Sequence, residues 1–128
     1  ETVGALKGLV KNLVPRGKEH KYYAQLFQAL RIEVNGELES LQEFLQQTLS
    51  VLRAGGRLAV MSYHSLEDRL VKHFMAKGKF RGEVEKDFFG HEIKPFKVIS
   101  RKAIAASEEE LSLNNRARSA KLRVAEKI

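Results

Sequence analysis

Two polar side chains that could take part in chemistry, Ser62 and His64, directly follow the apolar run Leu58–Met61. A short apolar run without charges predicts a buried strand. Because ligands of open α/β sheets bind at the carboxyl ends of the strands, both side chains are candidates for substrate contact or catalysis. A hydroxyl group and an imidazole can hydrogen-bond a ligand, and an imidazole can also act as a general base. The alternative is that both side chains only order the turn after the strand.

A helix is predicted immediately after this turn. Ser65 and Asp68 have the Ser-x-x-Asp spacing of a capping box, in which side chains bond free amides of the first helical turn. The apolar residues that follow recur at helical spacing: Leu66, Leu70, Val71, Phe74 and Met75. We therefore expect Ser65, Glu67 and Asp68 to stabilise the start of a helix rather than to contact a ligand.

A second group of polar side chains, Arg31, Asn35 and Glu37, lies where two predicted helices meet at Gly36. Arg31 and Asn35 are four residues apart and therefore lie on one helix face. They belong either to a cluster that faces a ligand or to a polar joint between two parts of the fold, and the residues favour neither. The two predicted helices span residues 19–34 and 37–53.

Two arginines, Arg116 and Arg118, lie in the polar stretch 114–118, which we interpret as a loop. Guanidinium groups in such a loop suit phosphate contacts, and the alternative is a solvated loop without a partner. The whole chain has a formal net charge of +7 and a pI of about 9.8. A strongly basic balance favours a polyanionic partner, with nucleic acid first.

The segment 77–94 shows no clear periodicity and is rich in glycine and lysine, so we predict a loop. It contains three aromatic residues: Phe80, Phe88 and Phe89. These rings either stack on nucleic-acid bases or hold the loop against the core, and both interpretations stay open.

The remaining elements are a short helix near Val3–Leu13 and two strands, over 96–104 and 119–128, which we expect to pair antiparallel at one edge of a sheet. Gly55-Gly56 is expected to cap the third helix, and Ser107 to begin a short helical turn. A lone apolar strand such as Leu58–Met61 calls for parallel neighbours and cover on both faces. With only three strands in the sequence, we expect the remaining strands to lie upstream in a longer parent protein.

Composition narrows the class of protein. The chain has 128 residues, with 43% hydrophobic and 30% charged side chains, which suits one globular domain. Cysteine is absent, which excludes disulfides and is compatible with a cytoplasmic protein. No stretch of about 18 apolar residues occurs, so we expect no membrane association. The four histidines are scattered, and we expect no metal site.

Three segments of the sequence together resemble one protein family. The family is that of the bacterial S-adenosylmethionine-dependent methyltransferases that modify the exocyclic N4 of a cytosine in 16S ribosomal RNA, known as MraW or RsmH. The resemblance runs from Phe27 to the carboxyl terminus in family order. Its segments are Phe27-Gln-Ala-Leu-Arg-Ile-Glu-Val-Asn-Gly-Glu-Leu38, Gly55-Gly-Arg-Leu with Ser62-Tyr-His-Ser-Leu-Glu-Asp-Arg69, and Asn114-Asn-Arg-Ala-Arg-Ser-Ala-Lys-Leu-Arg123.

The resemblance implies an α/β fold: the C-terminal part of a Rossmann-like S-adenosylmethionine-dependent methyltransferase sheet, preceded by helices from a helical insertion. Residues 1–34 would end the insertion, and 35–128 would form the C-terminal half of the methyltransferase domain. The family's glycine-rich cofactor loop lies further upstream, and no Gly-x-Gly-x-x-Gly occurs here. We therefore expect no cofactor-binding residues in this chain, although the parent protein would use S-adenosylmethionine.

The resemblance also implies partners and roles. The parent protein would act on 16S ribosomal RNA of the small ribosomal subunit, with RNA contacts from Arg31, Asn35, His64, Arg116 and Arg118. Ser62 and His64 are the candidates for catalysis, without an assigned general base. We expect this chain alone to be inactive. The alternatives are a stand-alone basic RNA-binding module and an oligomerisation module, such as a homodimer formed through the incomplete sheet.

Overall fold

The computed structural model describes residues 2–128, which divide into two compact units. The first unit ends at Glu37, and the second comprises Leu38–Ile128. The helices are α1 (Val3–Val10), α2 (Glu19–Asn35), α3 (Glu37–Val51), α4 (Ser65–Lys77) and α5 (Glu108–Leu113). The strands are β1 (Arg57–Ser62), β2 (Glu85–Lys86), β3 (Glu92–Ile93), β4 (Phe96–Val98), β5 (Ile104–Ala105) and β6 (Lys121–Lys127).

The first unit is built on aromatic contacts between its helices. Thr2 caps α1 by accepting a hydrogen bond from the amide of Ala5 at 3.2 Å. The Lys7 ammonium lies 5.1 Å from the centre of the Tyr23 ring and 5.9 Å from that of Phe27, both in α2. Cation–π contacts of this kind add to the packing of a small helical unit. A 3₁₀ turn, Lys11–Leu13, ends the first helix.

The predicted break between the second and third helices is confirmed at Gly36. This residue has a left-handed backbone, with φ of 57°, and its amide donates to the carbonyls of Ile32 and Glu33. Glycine adopts that conformation without a side-chain clash, which explains why α2 stops there. The predicted cap at Gly55-Gly56 is wrong, because α3 already ends at Val51.

The sheet of the second unit is antiparallel at every pairing that the described residues form. Strand β6 lies between β1 and β4, and the short β5 pairs with the start of β6. The predicted antiparallel pairing of the last strands is therefore confirmed. The parallel neighbours expected for β1 do not occur within residues 2–128, where its partner is the antiparallel β6.

Two predicted elements differ in the structure. The strand expected over 96–104 is split into β4 and β5, because the amides of Ile99 and Ser100 both donate to the Val124 carbonyl and interrupt the ladder. The Ser100 hydroxyl also accepts from the Val124 amide at 2.8 Å. The predicted loop 77–94 contains the hairpin β2–β3. Such short strands leave no periodicity that a sequence could show.

The segment before β6 is more regular than predicted. Ser107 caps α5 by accepting from the Glu110 amide at 3.2 Å, as expected. The stretch 114–118, predicted to be a loop, instead forms most of a 3₁₀ helix, Asn115–Ser119. Ala117 is buried, so packing of one small side chain holds this turn in place.

The core of the second unit lies between one face of the sheet and helices α3 and α4. Phe74 sits at its centre, with its ring 5.1 Å from that of Phe80 and 5.9 Å from that of Phe96. Burial of such rings is a large part of the stability of a unit of this size. The buried apolar residues are Leu45, Leu58, Val71, Phe74, Met75, Phe96 and Ala125.

The opposite face of β1 is open to solvent. Leu58 and Ser62 are buried on the helix side, whereas Ala59 and Met61 are exposed on the other. The described chain does not cover this face, and the expected cover on both faces stays a prediction for the longer parent protein. Successive side chains of a strand point to opposite faces, so covering one face leaves every second residue uncovered.

Candidate functional site

The hydroxyl of Ser62, at the end of β1, forms a hydrogen bond within the sheet. Ser62 is only 4% exposed, and its Oγ donates a long hydrogen bond of 3.5 Å to the carbonyl of Lys121, its partner residue in β6. A buried hydroxyl needs such a partner. In the described structure, Ser62 therefore joins two strands, and its predicted catalytic or ligand role stays untested.

His64, not Ser65, caps helix α4. The backbone of His64 is extended, and its Nδ1 accepts a hydrogen bond from the Glu67 amide at 3.4 Å. Glu67 in turn accepts from the Tyr63 amide through Oε2 at 3.0 Å. The predicted capping box of Ser65 and Asp68 is therefore wrong, since Ser65 is already the first helical residue and Glu67 bonds the Tyr63 amide, one residue before the cap. Imidazole took the place of a hydroxyl as the capping acceptor.

The second ring nitrogen of His64 has no hydrogen bond. Nε2 is buried and lies 3.2 Å from Oε1 of Glu67, a distance that suits an ion pair when the ring is protonated, but the angle is not that of a hydrogen bond. Because Nδ1 is an acceptor, the neutral ring carries its proton on Nε2. His64 thus holds a buried proton donor at the carboxyl end of β1, and its predicted ligand contact stays a prediction.

Asp68 lies in the first turn of α4, but its carboxylate binds the sheet rather than a free amide of that turn. Its carboxylate binds Arg123 of β6, with Nε to Oδ1 at 2.7 Å and Nη2 to Oδ2 at 3.1 Å, and the Lys121 ammonium lies 3.6 Å away. The hydrogen bonds from Arg123 lower the pKa of Asp68. A bidentate pair of this type, with two parallel hydrogen bonds, fixes both the position and the relative orientation of the two side chains. The pair therefore fastens α4 to the sheet directly behind the His64 turn.

The sequence alone does not reveal this pair. In the alternation of residues 119–128, Leu122 and Val124 lie on the apolar side and Arg123 lies on the other, which would place Arg123 in solvent. Instead Arg123 shares the helix side with buried Ala125, while Leu122 lies opposite Met61 on the less covered face. Ala125 lies two residues after Arg123 and therefore on the same face of the strand. This small apolar residue was the one sign in the sequence that the face could point inward.

A groove of about 430 Å³ opens on that less covered face, beside the end of β1. Met61 borders it from β1, Tyr63 from the turn directly after β1, and Ile104 from β5. All three side chains are about half exposed, at 55%, 55% and 51%. A second groove, of about 450 Å³, lies between α3 and α4 and carries the basic side chains Arg69, His73 and Arg81.

The Arg31 and Asn35 side chains both meet the carboxylate of Glu37 within the first unit. Arg31 Nε lies 2.9 Å from Glu37 Oε1, and Asn35 Nδ2 donates to the same oxygen at 3.2 Å. The Arg31 side chain is 57% exposed. The structure thus brings the three residues together at the α2–α3 junction, and their predicted RNA contact stays a prediction.

Arg116 and Arg118 flank the buried Ala117 in the 3₁₀ helix before β6, and both are exposed. Asn114 holds this turn by accepting from the Arg116 amide at 3.2 Å and donating to Glu110 at 3.2 Å. The two guanidinium groups are therefore presented to solvent on an ordered turn. That presentation suits phosphate contacts without demonstrating them.

The family profile and the curated relatives that match this chain point to the same protein family. The sequence profile of the MraW methylase family matches residues 1–128. Curated relatives with the name "Ribosomal RNA small subunit methyltransferase H" include one from Cytophaga hutchinsonii, 60% identical over 119 residues, which is 93% of this chain and 40% of the relative. One from Flavobacterium psychrophilum is 59% identical over 122 residues (95% of this chain, 42% of the relative), and one from Parabacteroides distasonis 53% over 128 residues (100% and 42%).

The chain thus spans about two fifths of the length of these curated relatives. Among the described residues, no helix is long and apolar enough to cross a bilayer. The predicted resemblance is confirmed by the profile match over the full sequence and by the high identity of the relatives. This chain belongs to the MraW methylase family.

Proposed function

We propose that the parent protein methylates ribosomal RNA of the small subunit, and that the acceptor is the exocyclic N4 of a cytosine in 16S RNA. The observation that carries the proposal is the family match over the whole chain, together with the methyltransferase name that the relatives bear. S-adenosylmethionine is the methyl donor that this class of family uses. The proposed setting is cytoplasmic, where ribosomal subunits are found in bacteria.

The methyl donor is proposed to bind mainly outside the residues described here. The polar groups after β1 bond the chain itself, since the Ser62 hydroxyl donates to Lys121 and the His64 Nδ1 accepts from Glu67. The adjoining groove is lined mostly by apolar side chains, among them Met61 and Ile104, with Glu110 and Asn114 as its charged and amide groups. We therefore place the donor site in the part of the parent protein that the relatives have beyond this chain.

The proposed contribution of this chain is one wall of the substrate pocket. Methylation of a cytosine amine requires a base removed from its stack and an amine held in line with the methyl group. His64 Nε2 is the proposed contact to the base or its phosphate, because it is a proton donor without a hydrogen bond at the carboxyl end of β1; it is buried in the described chain, so this contact requires the side chains that cover it to move. Ser62 is buried, so its part is to fix β1 against β6.

The proposed RNA contacts outside the pocket are electrostatic. Arg116 and Arg118 are exposed on an ordered turn, and Arg31 is exposed at the end of α2. With a net charge of +7, the chain favours a polyanion. Asn35 stays a candidate through its place beside Arg31, although the Glu37 carboxylate already accepts from both side chains.

The experiment uses the full-length parent protein, labelled S-adenosylmethionine and small ribosomal subunits that lack the modification. Label should enter 16S RNA, and after digestion it should co-migrate with a 4-N-methylcytidine standard. Co-migration with 5-methylcytidine, or label in large-subunit RNA only, would falsify the proposal. The matched control is this 128-residue chain alone, for which we expect no transfer and no micromolar heat signal when S-adenosylmethionine is titrated calorimetrically.

Self-association is a second candidate function, favoured by one observation. In the described chain β1 pairs through one edge with β6, and its outer face exposes Met61 beside Tyr63. Open strand edges and apolar faces recruit further strands. Light scattering after size exclusion distinguishes a homodimer from the 14.5 kDa monomer. A stand-alone RNA-binding module would instead show binding that falls steeply with salt.

A further inference from the structure

The tip of the β2–β3 hairpin, Asp87–His91, exposes two aromatic rings. Phe88 is 98% exposed and Phe89 is 81% exposed, with ring centres 5.7 Å apart and ring planes nearly perpendicular at 88°. Phe80, from the same stretch of chain, instead stacks on Phe74 in the core. The anchoring role that the sequence left open for these aromatics therefore belongs to Phe80. Single exposed apolar side chains are common, but two adjacent, almost fully exposed rings at a hairpin tip mark a binding surface.

The tip is held in one conformation by Asp87. Its Oδ1 accepts from the amides of Phe89 at 2.9 Å and His91 at 2.8 Å, and its Oδ2 lies 3.0 Å from Nδ1 of the His91 ring. The amide of Asp87 donates to the His91 carbonyl, and Gly90 supplies a left-handed residue with φ of 86°. The hydrogen bonds that the Asp87 carboxylate accepts, first that from the His91 amide, lower the pKa of Asp87. The rings are thus presented on an ordered turn, so a partner has little loop entropy to overcome.

The charges around the hairpin favour a polyanion. Residues 77–97 carry six lysine or arginine side chains and four aspartate or glutamate side chains. Lysines pair with three of the acids: Lys77 with Glu83, Lys79 with Glu85, and Lys94 with Glu92. The fourth acid, Asp87, is occupied within the tip. Exposed cations, among them Arg81 and Lys97, remain to attract phosphates.

We propose that the hairpin tip binds unpaired nucleotides of the RNA substrate by stacking bases on Phe88 and Phe89, at a point outside the methylated cytosine. The proposal rests on the RNA substrate proposed above. Every base has a π face, so aromatic rings beside cations bind single-stranded RNA with little sequence preference. Two rings at a right angle offer faces in two directions, which suits bases splayed out of a loop rather than a continuous duplex.

The test compares variants of the full-length parent protein. Phe88→Ala with Phe89→Ala removes both rings, and Phe88→Leu with Phe89→Leu keeps apolar bulk but removes the π faces. Val51→Ala is the matched control, because Val51 is 79% exposed at the end of another element. Affinity is measured for unmethylated small subunits, for 16S RNA without proteins, and for an oligouridylate of about 12 nucleotides. Thermal unfolding confirms that each variant is folded.

We expect the alanine pair and the leucine pair both to weaken binding to protein-free RNA and to the oligouridylate about ten-fold or more, with the Val51 control unchanged. Unchanged binding of RNA by the alanine pair overturns the proposal. So does full binding by the leucine pair, which would indicate a merely apolar contact. Weaker binding to whole subunits alone, with protein-free RNA unaffected, would assign the tip to a ribosomal protein and likewise overturn it.

Methyl transfer by the unaltered protein is scored separately. If the unaltered protein methylates RNA and the alanine pair binds RNA equally well, the inference fails while the proposed function stands. If the unaltered protein neither methylates nor binds RNA, both the inference and the proposed function fail.

A second readout uses the absence of tryptophan from this chain. In this 128-residue chain, Phe88→Trp places a single tryptophan at the tip, and oligouridylate should quench its fluorescence; quenching equal to that of free tryptophan would contradict stacking.

Discussion

The carboxylate of Asp68 binds the guanidinium of Arg123 through two hydrogen bonds, 2.7 Å and 3.1 Å long. The side chains are 12% and 11% exposed, so the pair is largely withdrawn from water. Asp68 stands one turn after His64 in the sequence, and Arg123 lies in β6 opposite Val60. The pair therefore sets the position of α4 on the sheet, and with it the position of the imidazole proposed to face the substrate.

Removal of this carboxylate is expected to destabilise the chain. Asp68→Asn should lower the free energy of unfolding by about 2–3 kcal/mol, because it leaves a poorly hydrated guanidinium without a counter-charge. Urea unfolding measures the difference. The control is Glu85→Gln, which removes an exposed ion pair with Lys79 and should have no measurable effect. Equal effects of the two changes would show that the Asp68 pair contributes no more than a surface contact.

The same pair predicts a pH dependence. The folded chain lowers the pKa of Asp68 through Arg123, so the folded state binds the proton less tightly than the unfolded state. This contribution is complete above the unfolded pKa of about 3.9 and is lost as pH falls through the lower folded pKa. The stability difference between unaltered chain and Asp68→Asn should therefore be constant from about pH 7 to about pH 5 and shrink below about pH 4.

Three other carboxyl groups have lowered pKa values, and all three are present in both the unaltered chain and the Asp68→Asn variant: Glu19, Asp87 and Glu92. Their contributions cancel in the difference between the two unfolding curves. A difference that stays constant down to about pH 2 would mean that ionisation of Asp68 does not contribute to stability.

His64 allows its capping role to be separated from its proposed ligand role. Asparagine is a good N-cap, so His64→Asn should leave stability nearly unchanged, whereas His64→Ala should cost about 1 kcal/mol. Unfolding of this chain measures the cap. Methyl transfer by the full-length protein measures the ligand role, and we expect the asparagine variant to lose activity despite its stability. Full activity of that variant would reduce His64 to a cap.

Gly78 is expected to tolerate no side chain. It ends α4 with φ of 72°, and an added Cβ would lie 2.5 Å from Cδ of Pro95. Gly78→Ala should therefore cost about 2–4 kcal/mol, from left-handed strain plus overlap. Gly82 is the matched control, since it has φ of 80° but open space around its Cβ position. Gly82→Ala should cost only about 1 kcal/mol, and equal losses in urea unfolding would refute the overlap.

Phe80 and Phe88 should differ in their effect on stability. Phe80→Ala removes a ring stacked on Phe74 and should cost about 2 kcal/mol. Phe88→Ala removes a ring that is 98% exposed and should leave unfolding unchanged. Thermal or urea unfolding of both variants decides. A loss with Phe88→Ala would place that ring in the fold and remove the basis for its proposed contact with RNA.

The sequence by itself determined the elements whose causes are local. Gly36 ends α2 because glycine alone adopts its left-handed backbone without cost, and Ser107 begins α5 because a hydroxyl three residues before an amide can accept from it. Helical periodicity after His64 and alternation before Ile128 predicted α4 and β6. The motif segments identified the family, because the identity and order of their residues can be read from the sequence without a structure.

Only the tertiary structure decided the pairings between distant residues. Asp68 and Arg123 are 55 positions apart, and nothing in the periodicity of either segment indicates that they meet. The same holds for the inward face of β6 and for the separation of Phe80 in the core from Phe88 at a hairpin tip. A local pattern fixes which way a side chain points relative to its own element. Whether that direction leads to core, partner or solvent depends on what the rest of the chain places there.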